Sequence, residues 1–330
     1  MSQFRTAPGT TIGEACMQAS SFLASCGVEE ARANAERLLM HLLGATRAEL
    51  LRDWREPFPQ EEAARWERLV ARKAAGEPVQ YIAGEQWFYG LAFTVTPAVL
   101  IPRPETELLV EAVLEAADAC WPPAQAARPG DAPGGAAIVP TVADVGTGSG
   151  AIAVTLAVQR PRWRVCASDL SADALAVART NAERHNVASR IAFVQGDLLA
   201  PFVGREGTRR ARGDERPPAA GLGIDVLVSN PPYIPSGDLP GLQREVRDYE
   251  PRLALDGGDD GLTPYRRMIG MLPQLARIPR IVAFELGLGQ APEVAGMLRR
   301  FGAWDEIRIV RDYAGIERHV LAVRHSDDGS

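Results

Sequence analysis

The chain has 330 residues, 46% of them apolar, and a formal net charge of −6. That length can bury a large core and predicts two domains, while the acidic balance argues against a nucleic-acid substrate, which calls for a long basic stripe that this sequence lacks. Cys16, Cys26, Cys120 and Cys166 are scattered, and His41, His185, His319 and His325 form no cluster, so neither a disulfide framework nor a metal site is expected. The longest apolar stretch, residues 136–158, contains Asp144 and a glycine run and reads as a strand and a helix rather than a membrane span. With no charged-then-apolar pattern at the N-terminus, a cytoplasmic location is expected.

The first 75 or so residues read as a small helical bundle. Residues 29–43 bring Ala33, Leu38, Leu39, Leu42 and Leu43 near one face and stop at Gly44, and residues 60–75 stop at Gly76. Such a module either buttresses an enzyme or grips its substrate. Residues 86–95 set aromatic and β-branched side chains about Gly90, the pattern of a hairpin linker whose aromatics can equally be core. A helix follows over 106–119, and the Pro-, Gly- and Ala-rich stretch 120–136 is expected to be a mobile loop. Arg103 and Thr106, at the start of that helix, serve either as a loop-and-helix cap or at the mouth of a site.

Residues 138–143 are extended, residues 151–157 are apolar and helical, and Asp144-Val145-Gly146-Thr147-Gly148-Ser149-Gly150 lies between them. A strand, a glycine-rich turn and a helix in that order let the backbone approach a ligand closely, under the partly positive helix N-terminus. About 20 residues beyond the glycines a second strand, 163–167, delivers Asp169, placed to accept hydrogen bonds from ribose hydroxyls. A nucleoside-containing ligand is implied, although the glycine run alone also satisfies a dinucleotide fingerprint. A third strand, 191–194, leads to Gly196-Asp197-Leu198, where Asp197 is either a helix N-cap or a ligand contact.

The insertion 204–223 carries Arg205, Arg209, Arg210, Arg212 and Arg216, but Glu206, Asp214 and Glu215 dilute the charge, and a solvated loop is the stronger reading than an RNA-binding patch. The apolar strand 224–228 then ends abruptly in Asn230-Pro231-Pro232-Tyr233. Two prolines stiffen the chain and aim carbonyls outward. Asn230 offers a side-chain acceptor, Pro231 a backbone one and Tyr233 a flat face, a set that suits a planar amino group, whether amide or nucleobase. The acidic segment 256–261 lacks Ca²⁺-loop spacing, and its glycines suit a turn. A strand at 280–285, a helix at 291–301 and strands at 307–310 and 319–323 complete the pattern.

Asp-Val-Gly-Thr-Gly-Ser-Gly, Gly-Asp-Leu and Asn-Pro-Pro-Tyr, in that order, resemble an S-adenosylmethionine-dependent class I methyltransferase acting on an amino group. Gly76-Glu77-Pro78-Val79-Gln80-Tyr81-Ile82-Ala83-Gly84 and Leu100-Ile101-Pro102-Arg103-Pro104-Glu105-Thr106-Glu107 narrow the resemblance to the release factor glutamine methyltransferases, the PrmC/HemK family, over residues 31–323 or so. The resemblance implies an α/β class I methyltransferase fold, Rossmann-like, with a seven-stranded sheet, closed by an antiparallel final pair. It also implies an N-terminal helical substrate-binding domain over residues 1–80, a β-hairpin linker over 81–101 and the methyltransferase domain over 102–330. The implied cofactor is S-adenosyl-L-methionine, with S-adenosyl-L-homocysteine as product. Gly146, Thr147, Gly148, Ser149 and Gly150 would surround its methionyl and ribose parts, Asp169 its ribose, Asp197 and Leu198 its adenine, with Asn230 alongside. Where this chain has Leu198 the family often has an aromatic residue. Asn230, Pro231, Pro232 and Tyr233 would form the catalytic set.

The implied substrate is the glutamine of the Gly-Gly-Gln motif in class 1 peptide chain release factors, bound by a monomer with no direct contact to nucleic acid or membrane. Competing readings are a glutamine methyltransferase acting on a ribosomal protein, a nucleic-acid adenine methyltransferase using the same grip on a flipped base, and a cofactor-binding regulator without activity. The intact Asn-Pro-Pro-Tyr set argues against the last.

Overall fold

The computed structural model describes residues 4–122, 139–204 and 219–325. Most of the expected 120–136 loop and all five arginines of the 204–223 insertion lie outside them. The chain divides into two compact units, one formed by Met1–Glu85 with Leu242–Tyr249 and the other by Gln86–Gly241 with Glu250–Ser330.

The first unit contains α1 (Ile12–Ser25), α2 (Ala31–Leu43), α3 (Arg47–Arg52), α4 (Ala63–Ala74) and α5 (Val79–Ala83). Thr11 with Glu14 and Thr46 with Glu49 form capping boxes that open α1 and α3, satisfying backbone donors that a helix start leaves free. Ala31, Ala35, Leu38, Leu39 and Leu42 form the buried face of α2, one stripe of the 3.6-residue repeat. Ala33 points to solvent instead, because it lies roughly 200° around the helix from Ala31. The core gathers round Trp66, Phe58 and Leu38. Lys73 in α4 is fully buried and ion-paired with Glu245, from the helix Arg244–Tyr249 that a much later part of the chain contributes to this unit.

In the second unit, β1 (Glu85–Phe88) and β2 (Leu91–Thr94) pair as a hairpin. Tyr89 and Gly90 both have positive φ, 51° and 73°, as a two-residue turn matched to the strand twist requires. Phe88 and Phe93 are core and meet edge to face at 6.0 Å, whereas Trp87 is exposed. There follow α6 (Pro104–Cys120), β3 (Thr141–Val145), α7 (Ala151–Gln159), β4 (Arg164–Asp169), α8 (Ala172–Arg184), β5 (Ile191–Gln195) and β6 (Val226–Ser229). After α9 (Arg244–Tyr249) come α10 (Thr263–Met271), β7 (Ile281–Glu285), α11 (Ala291–Phe301), β8 (Glu306–Arg311) and β9 (Glu317–Val323).

The seven strands from β3 to β9 form one sheet in the order β5-β4-β3-β6-β7-β9-β8. The first five are parallel, and β9 runs antiparallel to both β7 and β8. Val142, Val226, Ile281 and Leu321 enter one core with α6 and α7, while their neighbours Ala143, Leu227, Val282 and Val320 enter another with α10 and α11. Burial on both faces explains why these strands are almost continuous apolar runs. The order reverses between β3 and β6, and such a switch point opens a crevice at the carboxyl ends of the strands. Gly146–Gly150 and Asn230–Tyr233 leave the sheet there.

Candidate active site

The glycine loop is held from beneath. Gly146 and Thr147 donate their amides to the Ser168 carbonyl, each at 2.9 Å. Asp144, fully buried, accepts from the Thr147 hydroxyl at 2.6 Å and from the Ala153 amide at 3.1 Å, tying the loop to the first turn of α7. Burial pushes its carboxyl up to about 7, against the pull of those two donors. Gly146 and Gly148 have φ of 73° and 55°, and a Cβ on either would meet nothing within 4 Å. Their bare backbone therefore faces open space. Gly150 serves packing instead, since a Cβ there would stand 3.1 Å from the Cβ of Ala178 on α8.

Asp169, at the end of β4, accepts from the Gly148 amide and the Ser171 amide, both at 2.9 Å. Burial raises its pKa while these bonds oppose the rise. Beyond β5, Leu198 adopts a left-handed φ of 49°, an uncommon conformation for a side chain of its size. The Asp197 carboxylate is not a helix cap; it pairs with Arg267 of α10 at 2.5 Å.

The Asn230–Tyr233 turn is clamped from several sides. Ser229 donates to the Val145 carbonyl at 2.6 Å. Gln290 donates to the Tyr233 carbonyl at 2.9 Å and accepts from the Gly287 amide at 2.8 Å. The segment 256–261 presses on the same turn: a Cβ on Gly261 would lie 2.2 Å from the Tyr233 oxygen. Asp256 and Asp260 spend their oxygens on Ser236, the Gly258 and Leu262 amides, Arg252 and Arg266, so this acidic segment is a structural turn. Burial pushes the Tyr233 phenol up to about 12, and the ring packs partly buried against the second core.

Asn230 donates its Nδ2 to the Thr106 hydroxyl at 3.2 Å, and Thr106 donates to Glu285 at 2.6 Å. Among the described residues neither the Asn230 Oδ1 nor the Pro231 carbonyl has a hydrogen-bond partner. Thr106 is thus no helix cap. Arg103, at the N-cap position of α6, makes no capping bond either and pairs with the buried Glu250 at 2.5 Å.

A cavity of about 730 Å³ brings together Gly146, Thr147, Gly148, Ser149, Asp169, Asp197, Leu198, Asn230 and Pro232, with Arg103 and Thr106 also in its wall. Gly150, Pro231 and Tyr233 do not line it. The bare glycine backbone, the acidic residue at the end of the next strand and the largely apolar wall match the chemistry of a nucleoside bearing an amino-acid tail. Sequence reasoning missed Glu285, Gln290, Glu250 and Arg267. Glu285 carried a readable signal, a carboxylate closing an otherwise apolar strand.

Residues 14–84 match the family described as PrmC N-terminal domain, and residues 142–206 that described as Methyltransferase domain. The chain is 42% identical to a release factor glutamine methyltransferase of Moorella thermoacetica (strain ATCC 39073 / JCM 9320), over 96% of this chain and 100% of that one. It is 43% identical to the protein of the same description from Geobacter sulfurreducens (strain ATCC 51573 / DSM 12127 / PCA), over 91% and 92%. It is 38% identical to that of Bacillus subtilis (strain 168), over 96% and 99%. Among solved structures the catalytic domain of hMettl16, in complex with MAT2A 3'UTR hairpin 6, is similar at a TM-score of 0.50 and 17% identity over 83% of this chain and 84% of that one, a likeness of fold. The α/β methyltransferase fold expected of the sequence is therefore the one observed. With relatives this similar across nearly its whole length, the chain belongs to the release factor glutamine methyltransferase family.

Proposed function

We propose that this protein methylates the side-chain amide nitrogen of a glutamine in peptide chain release factors, and that this glutamine is the one in the Gly-Gly-Gln motif of class 1 factors. The observation that carries the reading is the pair of unpartnered acceptors, Asn230 Oδ1 and the Pro231 carbonyl, beside a cavity with a bare glycine wall. S-adenosyl-L-methionine, when bound, supplies an electrophilic methyl on a sulfonium and leaves as S-adenosyl-L-homocysteine. Gly146, Thr147, Gly148 and Ser149 would cradle it, while Gly150 seats the loop against α8, with Asp169 toward the ribose and Asp197 and Leu198 toward the adenine.

An amide nitrogen is a weak nucleophile, because its lone pair is shared with the carbonyl. Placement must compensate: the residues of the turn would have to hold that nitrogen in line with the methyl group it takes. Asn230 Oδ1 and the Pro231 carbonyl accept the two N–H bonds of the substrate amide and aim its nitrogen. Pro232 keeps the turn stiff, and Tyr233 packs on the amide plane. Positive charge would grow on that nitrogen as it takes the methyl from the sulfonium, and the two fixed carbonyl dipoles of Asn230 and Pro231 would stabilise it. The surplus proton leaves to water. The N-terminal helical unit grips the release factor, and the enzyme works as a cytoplasmic monomer, in the compartment where translation terminates.

Asn230→Ala tests the reading. Methyl transfer to a release factor should be abolished while cofactor affinity, measured by titration, stays nearly intact; comparable losses of both would remove Asn230 from the role of substrate grip.

A further inference from the structure

Thr106 stands in the first turn of α6 and Glu285 at the last position of β7, and both are almost wholly buried, at 4% and 1% exposure. The hydroxyl of Thr106 touches two groups: Glu285 Oε2 at 2.6 Å and Asn230 Nδ2 at 3.2 Å. An ionised carboxylate can only accept. The hydroxyl proton must therefore point at Glu285 and its lone pair at Asn230, which in turn must offer an N–H. Only one of the two flips of the Asn230 amide satisfies that chain. It is the flip that leaves Oδ1 unpartnered.

We propose that Thr106 and Glu285 are positioning residues for the transfer, their one-way hydrogen-bond chain locking the Asn230 amide with its oxygen, not its nitrogen, presented to the substrate. The proposal rests on the reading of Asn230 as the substrate grip. In the opposite flip Asn230 would set its own N–H groups against those of the substrate amide and lose one of the two acceptors. Loss of such an orienting contact costs little binding of the cofactor and much of the rate.

The lock depends on the charge of Glu285. A protonated carboxyl can donate to the Thr106 oxygen, which releases the hydroxyl proton and removes the reason for a single flip. Burial pushes Glu285 up to about 7, against its bond from Thr106, the pull of Arg318 and a weaker direct bond from the Asn230 amide, whose N–H the same flip presents to the carboxylate. The groups facing it from each side leave it as the one that titrates there. From β9, His319 Nε2 is 3.9 Å away and is held neutral, burial having pushed it down to about 4. Arg318 supplies positive charge from the same strand, and Glu105 on α6 opposes it. Tyr233 and Tyr265 are both held as neutral phenols by burial, and Tyr265 donates to the Glu285 backbone carbonyl at 2.6 Å.

The test is methyl transfer to an intact release factor at saturating substrates, with cofactor affinity titrated in parallel for each variant. Thr106→Val keeps the shape and removes the hydroxyl; kcat should fall about 10²-fold with cofactor affinity unchanged, and Thr106→Ser should recover most of the loss. The native enzyme should show kcat rising with pH through about 7, and that limb should vanish in Glu285→Gln, whose amide oxygen accepts from Thr106 at every pH. A Thr106→Val enzyme as fast as the native one overturns the proposal, as does a limb unchanged in Glu285→Gln, which decides the matter should Thr106→Val fail to fold. If Asn230→Ala is inactive but Thr106→Val is native-like, the lock alone fails. If Asn230→Ala is native-like, the grip itself fails.

Discussion

Tyr233 owes its place to residues that carry no reactive group. Gly261 has φ of 74°, and a Cβ there would stand 2.2 Å from the Tyr233 carbonyl oxygen, the same oxygen that Gln290 Nε2 holds at 2.9 Å. Gly261→Ala combines a left-handed strain with a clash against backbone, and we expect it to lower stability by about 2 kcal/mol and to shift the Asn230–Tyr233 turn. Denaturant unfolding checks the first, and kcat with cofactor affinity the second; a variant of native stability and rate would show that the clamp is dispensable. Glu285 makes the opposite trade. Because the fold raises its pKa, it favours the protonated form, so its contribution to stability is complete below the ordinary carboxylate range and is lost as pH rises through about 7. Asp144, also raised to about 7, adds a loss of the same sign. His319, pushed down to about 4, acts oppositely, and only as pH falls below its ordinary range. Between about pH 6.5 and 8 the carboxylates alone govern, so Tm should decline over that window and decline less in Glu285→Gln. Equal slopes would contradict the burial cost assigned to Glu285, the same ionisation that the amide lock requires.

At the scale of elements, Asn181 on α8 joins three segments. Fully buried, it accepts from the Thr94 amide at 2.7 Å and donates to the Thr94 and Ser149 carbonyls, both at 2.9 Å, so that the hairpin and the glycine loop share one side chain. Asn181→Leu would leave three backbone groups unpaired, the buried Ser149 carbonyl and two part-buried groups of Thr94, and we expect a loss of about 3 kcal/mol by denaturant unfolding, with weakened cofactor binding. A loss below about 1 kcal/mol would mean that water replaces the amide. The central strands of the sheet were legible in the sequence, since burial on both faces forces continuous apolar runs, and α11 was read at its observed bounds because its apolar stripe is regular and Gly302 ends it. Two strand starts were read early: β6 begins at Val226, although Ile224 ahead of it is buried, and β3 begins at Thr141, after an exposed Val139 and a proline that has no N–H to offer a neighbouring strand. Helices α1, α8 and α10 carried weaker signals. In α8 most buried positions are alanines, joined by the polar Asn181, and alanine marks a face poorly.

Over the whole molecule the chain order hides one feature. The segment 242–249 leaves the second unit and completes the first, where Glu245 pairs with the buried Lys73. No local pattern announces such a return, since the two residues are 172 positions apart. Glu245→Gln would leave an ammonium buried without its counter-charge. We expect about 2 kcal/mol of local destabilisation, the partial exposure of Glu245 limiting the effect. Hydrogen exchange should quicken in α4 while the sheet of the second unit keeps its protection; unchanged exchange in α4 would mean that water reaches Lys73. The site was legible where it is built from contiguous motifs, as in Gly146–Gly150 and Asn230–Tyr233. It was illegible where distant segments meet: Thr106, Asn230 and Glu285 come together only because α6, β6 and β7 do.

The most direct measurement of the central claim is transfer of labelled methyl from S-adenosyl-L-methionine to a purified class 1 release factor, beside the same factor with its Gly-Gly-Gln glutamine replaced by alanine, a ribosomal-protein pool and DNA. Label on the intact factor alone is the predicted result. Label on the ribosomal pool or on DNA, or equal label on the substituted factor, would contradict the proposed substrate while leaving the fold and the family in place.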